Sequence, residues 1–149
     1  VLITFLACSD NSTNSKPGLD FRGITHTNES GQINGTIDTD DWRIISGTSP
    51  YKMTGELPDS FKVNPAYPNP SDNEFSFQFA FPSAVTYEIK IINRFNRAVE
   101  SLSGDTPAGV MIFEWVAQSS GDQPLPNGIY RVVYQFGGLW GYGDIQVSR

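Results

Sequence analysis

The second half of the chain alternates apolar and polar side chains one position at a time. In residues 75–81, four phenylalanines are separated by Ser76, Gln78 and Ala80. Only a repeat of two places all four rings on one face, so this stretch is predicted to be a half-buried β-strand. Residues 85–91 repeat the pattern, with Val, Tyr and Ile alternating with Thr, Glu and Lys, and predict a second strand of the same kind.

Further stretches of the same type follow, each bounded by turn-forming residues. The predicted strands are residues 97–102, 110–116, 130–136 and 140–147. The segments between them are predicted to be turns or loops, and they are residues 93–96, 104–107, 119–128 and 137–138. At least six strands within 86 residues, with turn signals at short intervals and no amphipathic helix, are typical of an all-β antiparallel sandwich.

Composition divides the chain into four parts. Residues 1–8 are mostly apolar, and residues 9–18 are rich in Ser, Asn and Thr and are predicted to be a flexible linker. Residues 19–63 are loop-rich, with possible short strands at 23–25, 32–37 and 42–45 that either extend the edge of the sandwich or form a small β-subdomain. Residues 64–149 hold most of the aromatic residues, and we expect them to fold without residues 1–63.

The same region carries the motif order of a known family. Its pieces are Tyr67-Pro68-Asn69-Pro70, residues 87–93 and 99–102, Ala108-Gly109, Phe113-Glu114-Trp115, and above all the run of residues 121–130, Gly-Asp-Gln-Pro-Leu-Pro-Asn-Gly-Ile-Tyr. This order resembles the C-terminal sorting domain of type IX secretion cargo and the related immunoglobulin-like domain of the flagellar hook-capping protein. Residues 71–73 and 93–97 depart from the family pattern. The resemblance implies an immunoglobulin-like sandwich of about seven strands that serves sorting, surface attachment or assembly, with the secretion machinery as a partner.

The first eight residues resemble the end of a bacterial lipoprotein signal peptide. A mostly apolar run ends in Ala7 and is followed by Cys8, the one cysteine of the sequence. Phe5-Leu6-Ala7-Cys8 is similar to the lipobox, although Leu is usual where Phe5 stands. The similarity implies cleavage before Cys8, lipidation of its thiol and, because Ser9 follows, an anchor in the outer membrane. The alternative is a reduced structural cysteine and a chance match. A lone cysteine excludes an internal disulfide.

Charge and the length of the apolar runs narrow the possible partners and locations. Ten basic and 16 acidic residues give a net charge of −6, and there is no basic stripe, so nucleic acid is not an expected partner. No apolar run reaches the roughly 20 residues that span a bilayer as a helix. Together with the export signal, this predicts a protein of the cell envelope, at the outer membrane or the extracellular surface.

An acidic turn is the weak candidate for a metal site. Alternate carboxylates such as those of Asp38, Asp40 and Asp41 can converge on Ca²⁺. The calcium-loop pattern is incomplete, because the sixth position has no Gly and the twelfth has no Glu. The alternative is a solvated acidic turn before Trp42. We therefore expect neither a metal nor a cofactor.

Four aromatic residues are candidates for a binding platform. Trp42, Tyr51, Trp140 and Tyr142 could stack on a sugar or a protein partner, or they could simply fill the core and the edges of the sandwich. Trp140 and Tyr142 share one face of the last predicted strand with Asp144, opposite its apolar face. Their exposure is therefore plausible, and they are the candidate ligand-binding residues for a glycan or protein partner.

Catalytic chemistry is not expected from this sequence. His26 is the one histidine and lies among polar residues, where it is predicted to be an exposed loop residue, and no Gly-x-Ser-x-Gly nucleophile motif is present. A pair of carboxylates for glycoside hydrolysis remains open, since sandwich loops can bring two acids together. We expect a non-catalytic exported protein; the alternatives are a ligand-binding module and, more remotely, a hydrolase.

Overall fold

The computed structural model describes residues 21–45, 61–119 and 121–149. These residues form eight strands and no helix, so the described part contains no helix that could cross a membrane. The strands are β1 (Arg43–Ile45), β2 (Lys62–Val63), β3 (Glu74–Phe81), β4 (Val85–Ile92), β5 (Ala98–Thr106), β6 (Gly109–Val116), β7 (Gly128–Phe136) and β8 (Leu139–Val147).

The strands make two antiparallel sheets that face each other as a β-sandwich. One sheet has five strands in the order β1-β8-β7-β4-β5, and the other has three in the order β2-β3-β6. The prediction of an all-β antiparallel sandwich is confirmed. Six of the strands lie within residues 64–149, as the alternation predicts, and the remaining two are short additions at the sheet edges.

The alternating phenylalanines of β3 supply one wall of the core. Phe75, Phe77, Phe79 and Phe81 are all buried, and the intervening side chains face outward. The ring of Phe79 lies 4.7 Å from that of Phe136 on the opposite sheet. Because burial of one such side chain contributes about 1.5–3 kcal/mol, this row of rings is a large part of what holds the sheets together.

Residues before the main strands complete the same core. The buried indole of Trp42 stacks on Phe77 and Tyr134, with ring centroids 6.1 and 6.2 Å away. The ring of Phe61 lies 4.8 Å from that of Phe136. Among the described residues of this region, both short strands extend the edges of the sheets, since β1 pairs with β8 and β2 pairs with β3.

Two of the three short strands considered in residues 19–63 do not form. Residues 23–25 and 32–37 are loops, and nearby Thr27 makes only isolated bridges with Ile33 and Asn69. Ile33 and Ile37 are about half exposed. These segments therefore have no continuous apolar face to bury, and the third candidate forms a strand because Trp42 fixes its start in the core.

The end of β5 also differs from the prediction. The sequence predicts a loop at residues 104–107, yet β5 continues to Thr106 and pairs with β4 along its length. Gly104 lies opposite Tyr87, and a Cβ on Gly104 would be 3.0 Å from the Tyr87 hydroxyl oxygen. The tyrosine side chain covers the glycine and replaces the packing that a side chain there would supply.

The Pro-rich entry to the domain runs along the sandwich as an extended segment. The Tyr67-Pro68 and Asn69-Pro70 peptide bonds are cis. Asn69 is fully buried, and its side-chain amide donates to the carbonyl oxygens of Thr25 and Asp144 at 3.1 and 2.9 Å. Its Oδ1 accepts the amide of Gln146 at 3.0 Å. One side chain thus joins the N-terminal segment, that is, the described residues before Asn64, to β8.

Candidate functional site

A polar cleft of about 260 Å³ lies between the N-terminal segment and the outer face of the five-stranded sheet. Its lining consists almost entirely of charged residues from these two parts of the chain. The lining residues are Arg22, Asp38, Asp40, Asp41, Arg131, Tyr142 and Asp144.

The sheet side of the cleft is built on an ion pair between neighbouring strands. Arg131 of β7 lies directly opposite Asp144 of β8. Its Nε and Nη2 atoms donate to the two carboxylate oxygens of Asp144, each at 2.7 Å. The ring of Tyr142 covers the guanidinium at 4.2 Å. Since the Asp144 side chain is 1% exposed and that of Arg131 is 13% exposed, this is a buried, bidentate pair.

Asp41 forms the opposite wall and has an unusual environment. Its Oδ1 accepts the backbone amide of Asp144 at 3.0 Å, whereas its buried Oδ2 has no hydrogen-bond partner among the described residues. Burial, and to a smaller extent the charges of Asp144 and Asp38, raise the pKa of Asp41 to about 8. The carboxyl group is therefore mostly protonated at neutral pH.

The other two acids of the turn have separate local roles. Asp38 Oδ1 accepts the amide of Asp40 at 2.9 Å, and Asp40 forms an ion pair with Arg43 at 3.0 Å. Within the described ranges, no group of three or more His, Cys, Asp or Glu residues is arranged to hold a metal ion. The geometry therefore gives no support to calcium binding by Asp38, Asp40 and Asp41.

The four aromatic candidates do not form one platform. Trp42 is only 6% exposed and lies in the core, so it is not available to a ligand. Trp140 and Tyr142 are half-buried on the outer face of β8, and only Tyr142 lines the cleft. Tyr51 lies outside the described residues. Of the two alternatives that the sequence leaves open for Trp42, packing in the core is the one found in the structure.

His26 and Cys8 are the other two residues singled out in the sequence, and the structure describes only His26. His26 is half-buried, not an exposed loop residue as predicted, and its Nδ1 is buried without a hydrogen-bond partner. The backbone at Gly35 lies against this side chain, since a Cβ built on Gly35 would be 3.0 Å from the His26 Cβ. Cys8 lies outside the described residues, as does the linker of residues 9–18.

The sequence analysis did not predict the Arg131–Asp144 pair, although the sequence contains a signal for it. Gly137-Gly138 is a two-residue turn, and Phe136 pairs with Leu139 on either side of it. A turn of this length fixes the register of a hairpin. Counting outward from the glycines places Arg131 opposite Asp144, with opposite charges on the outer face of the sheet.

Comparisons with known proteins give one structural likeness. No protein-family model matches the chain, and no curated protein matches it. Among solved structures, the chain is similar to dimeric latent PorU from Porphyromonas gingivalis, with 23% sequence identity and a TM-score of 0.47. The similarity covers 62% of this chain and 10% of the PorU chain.

Proposed function

We propose that this chain is a non-catalytic exported protein of the cell envelope whose sandwich serves sorting, surface attachment or assembly. The proposal rests first on the motif order of residues 64–149, which resembles the sorting and hook-capping domains. It also rests on the N-terminal similarity to a lipoprotein signal, which points to the outer membrane as the site of attachment.

One observation carries the proposal: the residues behind the resemblance are used to build the fold. Asn69 joins two distant segments through three hydrogen bonds. Leu125 is buried, and the hydroxyl of Tyr130 donates to the carbonyl oxygen of Pro126 at 2.8 Å. Motif residues with this structural role fit a domain that a partner recognises as a folded unit. Few of their polar groups remain for catalytic chemistry.

The loop before β7 adds a rigid surface that a partner could recognise. The side-chain amide of Asn127 donates to the Arg149 carbonyl oxygen at 3.1 Å, and its Oδ1 accepts the Arg149 amide at 3.0 Å. The Arg149 guanidinium donates to the carbonyl oxygens of Leu125 and Ala117. The loop is thus fixed to the end of β8, and a partner that binds it would need little ordering of the backbone.

The buried acids also favour a non-catalytic role. Asp144 is neutralised by Arg131, and Asp41 accepts a backbone amide. Both groups have partners that a structural role requires. We therefore propose attachment or assembly in place of hydrolysis.

A secretion assay tests the proposal. The chain would be fused to the C-terminus of a periplasmic reporter and expressed in a bacterium that has a type IX system. We expect surface-exposed reporter, detected by protease accessibility on intact cells. Asn69→Ala should reduce delivery, whereas Asp122→Asn, in an exposed loop, should not. A reporter that stays in the periplasm would contradict sorting.

The lipid anchor is tested separately with the complete gene. Wild-type protein should incorporate labelled palmitate and partition with membranes, and Cys8→Ser should move to the soluble fraction. If Cys8→Ser still reaches the surface and stays attached, the sandwich and not the lipid provides the attachment. Unlabelled wild type that keeps its sequence upstream of Cys8 would rule out lipidation.

A further inference from the structure

Strand β6 is an edge strand with an uncovered apolar face. Among the described residues its one neighbouring strand is β3. Its outward side chains Val110, Ile112 and Val116 are 65%, 50% and 39% exposed. Edge strands of soluble proteins usually carry Lys, Pro or a bulge that prevents pairing with another chain. β6 contains neither Lys nor Pro, and its register with β3 is regular, so its free edge is open to a further strand.

The hydrogen bonds of β3 show which backbone groups of β6 face this free edge. Ser76 exchanges both of its backbone hydrogen bonds with Tyr67, at 2.7 and 3.0 Å, on the side of β3 away from β6. Its cross-strand partner Glu114 is therefore not hydrogen-bonded to β3. Because backbone groups alternate between the two edges of a strand, the N–H and C=O groups of Val110, Ile112 and Glu114 all point away from β3. Within the described ranges, none of them has a hydrogen-bond partner.

The two sheets differ in width on this side of the sandwich. The ring of Phe113 in β6 lies 5.0 Å from that of Tyr87 in β4, so β4 is the strand opposite β6. The larger sheet continues past β4 to β5, whereas the smaller sheet, as described, ends at β6. The inner face of β5 thus has no strand opposite it, and its Leu102 is only half-buried, as are Met111 and Phe113. One strand added to β6 would lie opposite β5 and cover these side chains.

This geometry favours a single extended segment over a second copy of the folded chain. In each copy β4 lies opposite β6. Edge-to-edge pairing of two β6 strands would therefore bring the β4 of the second copy to the place that β5 already occupies. A lone strand brings no second sheet with it and meets no such overlap. The space beside β6 and opposite β5, called here the edge slot, therefore fits an extended segment of another polypeptide.

The charges beside the edge slot indicate the polar side chains of that segment. β5 and β6 together contain the acids Glu100, Asp105 and Glu114 and no basic residue. Glu114 points to the outer face, where it would lie directly beside an outward side chain of the added strand. Glu100 shares the inner face of β5, because its cross-strand partner Ile91 is fully buried. Lys or Arg at the outward positions complements these charges, whereas an acidic segment is repelled.

We propose that β6 binds an extended segment of another protein by antiparallel strand addition, with apolar residues of that segment facing inward and basic ones facing outward. The backbone groups of Val110, Ile112 and Glu114 supply the hydrogen bonds, and the inward side chains pack on Leu102 and Phe113. In this mode of recognition the main chain provides affinity and alternate side chains provide specificity. The interaction goes beyond the sorting role proposed above and does not depend on it.

Amide NMR and hydrogen exchange of the full chain test the pairing directly. The probe is a capped peptide of the same length as β6, eight residues, in which valine and lysine alternate. We expect a Kd below about 1 mM. At about a tenfold excess over Kd, exchange should slow about tenfold at the amides of Val110, Ile112 and Glu114. The amides of Met111 and Phe113, which already bond to β3, should change much less.

Modified peptides separate strand addition from simple charge attraction. In antiparallel addition the residues opposite Val110, Ile112 and Glu114 share their outer face, so they are the lysines of the probe. N-methylation of the lysine amides removes the pairing donors and should abolish binding. N-methylation of the valine amides, which face solvent, leaves the side chains and charges the same and should preserve it. A peptide with glutamate in place of lysine should bind at least about tenfold more weakly.

Two variants of the chain test the same edge from the other side. Ile112→Pro removes an N–H group that β3 does not use, and proline is tolerated on an edge strand at such a position. It should weaken binding at least about tenfold. Ile37→Thr removes another exposed isoleucine outside both sheets and should bind like wild type. Glu114→Lys should weaken binding of the lysine peptide and strengthen that of the glutamate peptide. If Ile112→Pro fails to fold, the N-methylated peptides and Glu114→Lys still decide the question.

Several outcomes would overturn the proposal. These are equal binding of the two N-methylated peptides, unchanged affinity in a folded Ile112→Pro variant, and no shift at about 10 mM peptide, roughly a tenfold excess over a millimolar Kd. Slow exchange at Val110, Ile112 and Glu114 before peptide is added would also overturn it, since the edge would then already be covered. Dependence of that protection on protein concentration would assign the cover to a second copy, and independence would assign it to another part of this chain.

Discussion

The indole ring of Trp42 lies against the backbone of Gly143. A Cβ built on Gly143 would be 2.2 Å from two atoms of that ring. Trp42 itself has a φ of 51°, a conformation that side chains rarely adopt. The acidic turn is therefore held in an unfavourable backbone state because the ring fills the space between the sheets that Gly143 leaves open.

The first prediction concerns this contact. Gly143→Ala should destabilise the fold by at least about 1–3 kcal/mol, since the methyl group overlaps the indole and the ring cannot move without leaving the core. Denaturant unfolding of the purified protein measures the change. Gly121→Ala is the control, because a Cβ there meets nothing within 4 Å. Equal stability of the two variants would mean that Trp42 does not occupy this position.

The second prediction concerns the buried amide of Asn69. Asn69→Ala removes three hydrogen bonds and leaves the Gln146 amide and two carbonyl oxygens without that partner. At about 1–3 kcal/mol for each buried unsatisfied group, we expect a loss of at least about 3 kcal/mol. Hydrogen exchange at the Gln146 amide should become much faster. Asn127→Ala, which removes a similar but exposed pair of bonds, should cost about 1 kcal/mol or less.

The third prediction concerns the Arg131–Asp144 pair. Arg131→Met should cost about 3–5 kcal/mol at pH 7, because it leaves the buried carboxylate of Asp144 without its cation. Burial already raises the pKa of Asp144, and Arg131 lowers it. In the variant the pKa of Asp144 is therefore raised further. The variant loses stability as the pH rises through this higher pKa, because the buried carboxyl group then becomes charged. We expect a smaller deficit at pH 4 than at pH 7, and partial recovery in Arg131→Met/Asp144→Leu. A deficit independent of pH would contradict this account.

The fourth prediction uses the raised pKa of Asp41, about 8. The fold favours the protonated carboxyl group of Asp41. Its contribution to the free energy of unfolding is therefore complete below the pKa of the unfolded chain, near 4, and is lost as the pH rises through about 8. Relative to Asp41→Asn, the wild type should lose up to about 1.4 kcal/mol per pH unit within that window. Urea unfolding of both proteins from pH 5 to 9 measures the difference. A constant difference would show that Asp41 titrates normally.

The fifth prediction concerns the N-terminal segment. The sequence pattern suggests that residues 64–149 fold alone, yet Trp42 and Phe61 belong to the same core cluster as the rings of β3 and β7. Loss of one such aromatic side chain costs about 3–5 kcal/mol. We expect residues 64–149 to unfold at much lower denaturant concentration than residues 21–149, or to lack a cooperative transition. Equal midpoints would show that the segment is dispensable.

The sequence by itself determined the class of fold and most of the strands. The period-two run of phenylalanines in residues 75–81 gives the core face of β3 without further information, because side chains alternate across a strand. The glycine pair at residues 137–138 fixes the hairpin of β7 and β8, and through it the register that places Arg131 opposite Asp144. These features are local, since both partners lie within a few residues of a visible turn.

Only the tertiary structure decided where the N-terminal segment lies and what it does. Its acidic turn looks solvated in the sequence, but Trp42 enters the core, and Asp41 accepts the amide of Asp144, which is 103 residues away in the chain. Gly104 remains in a strand because Tyr87 covers it. The raised pKa of Asp41, like the cleft itself, comes from burial against strands that form later in the chain. Periodicity reports the two faces of one strand, whereas burial and charge at Asp41 depend on residues that only folding brings together.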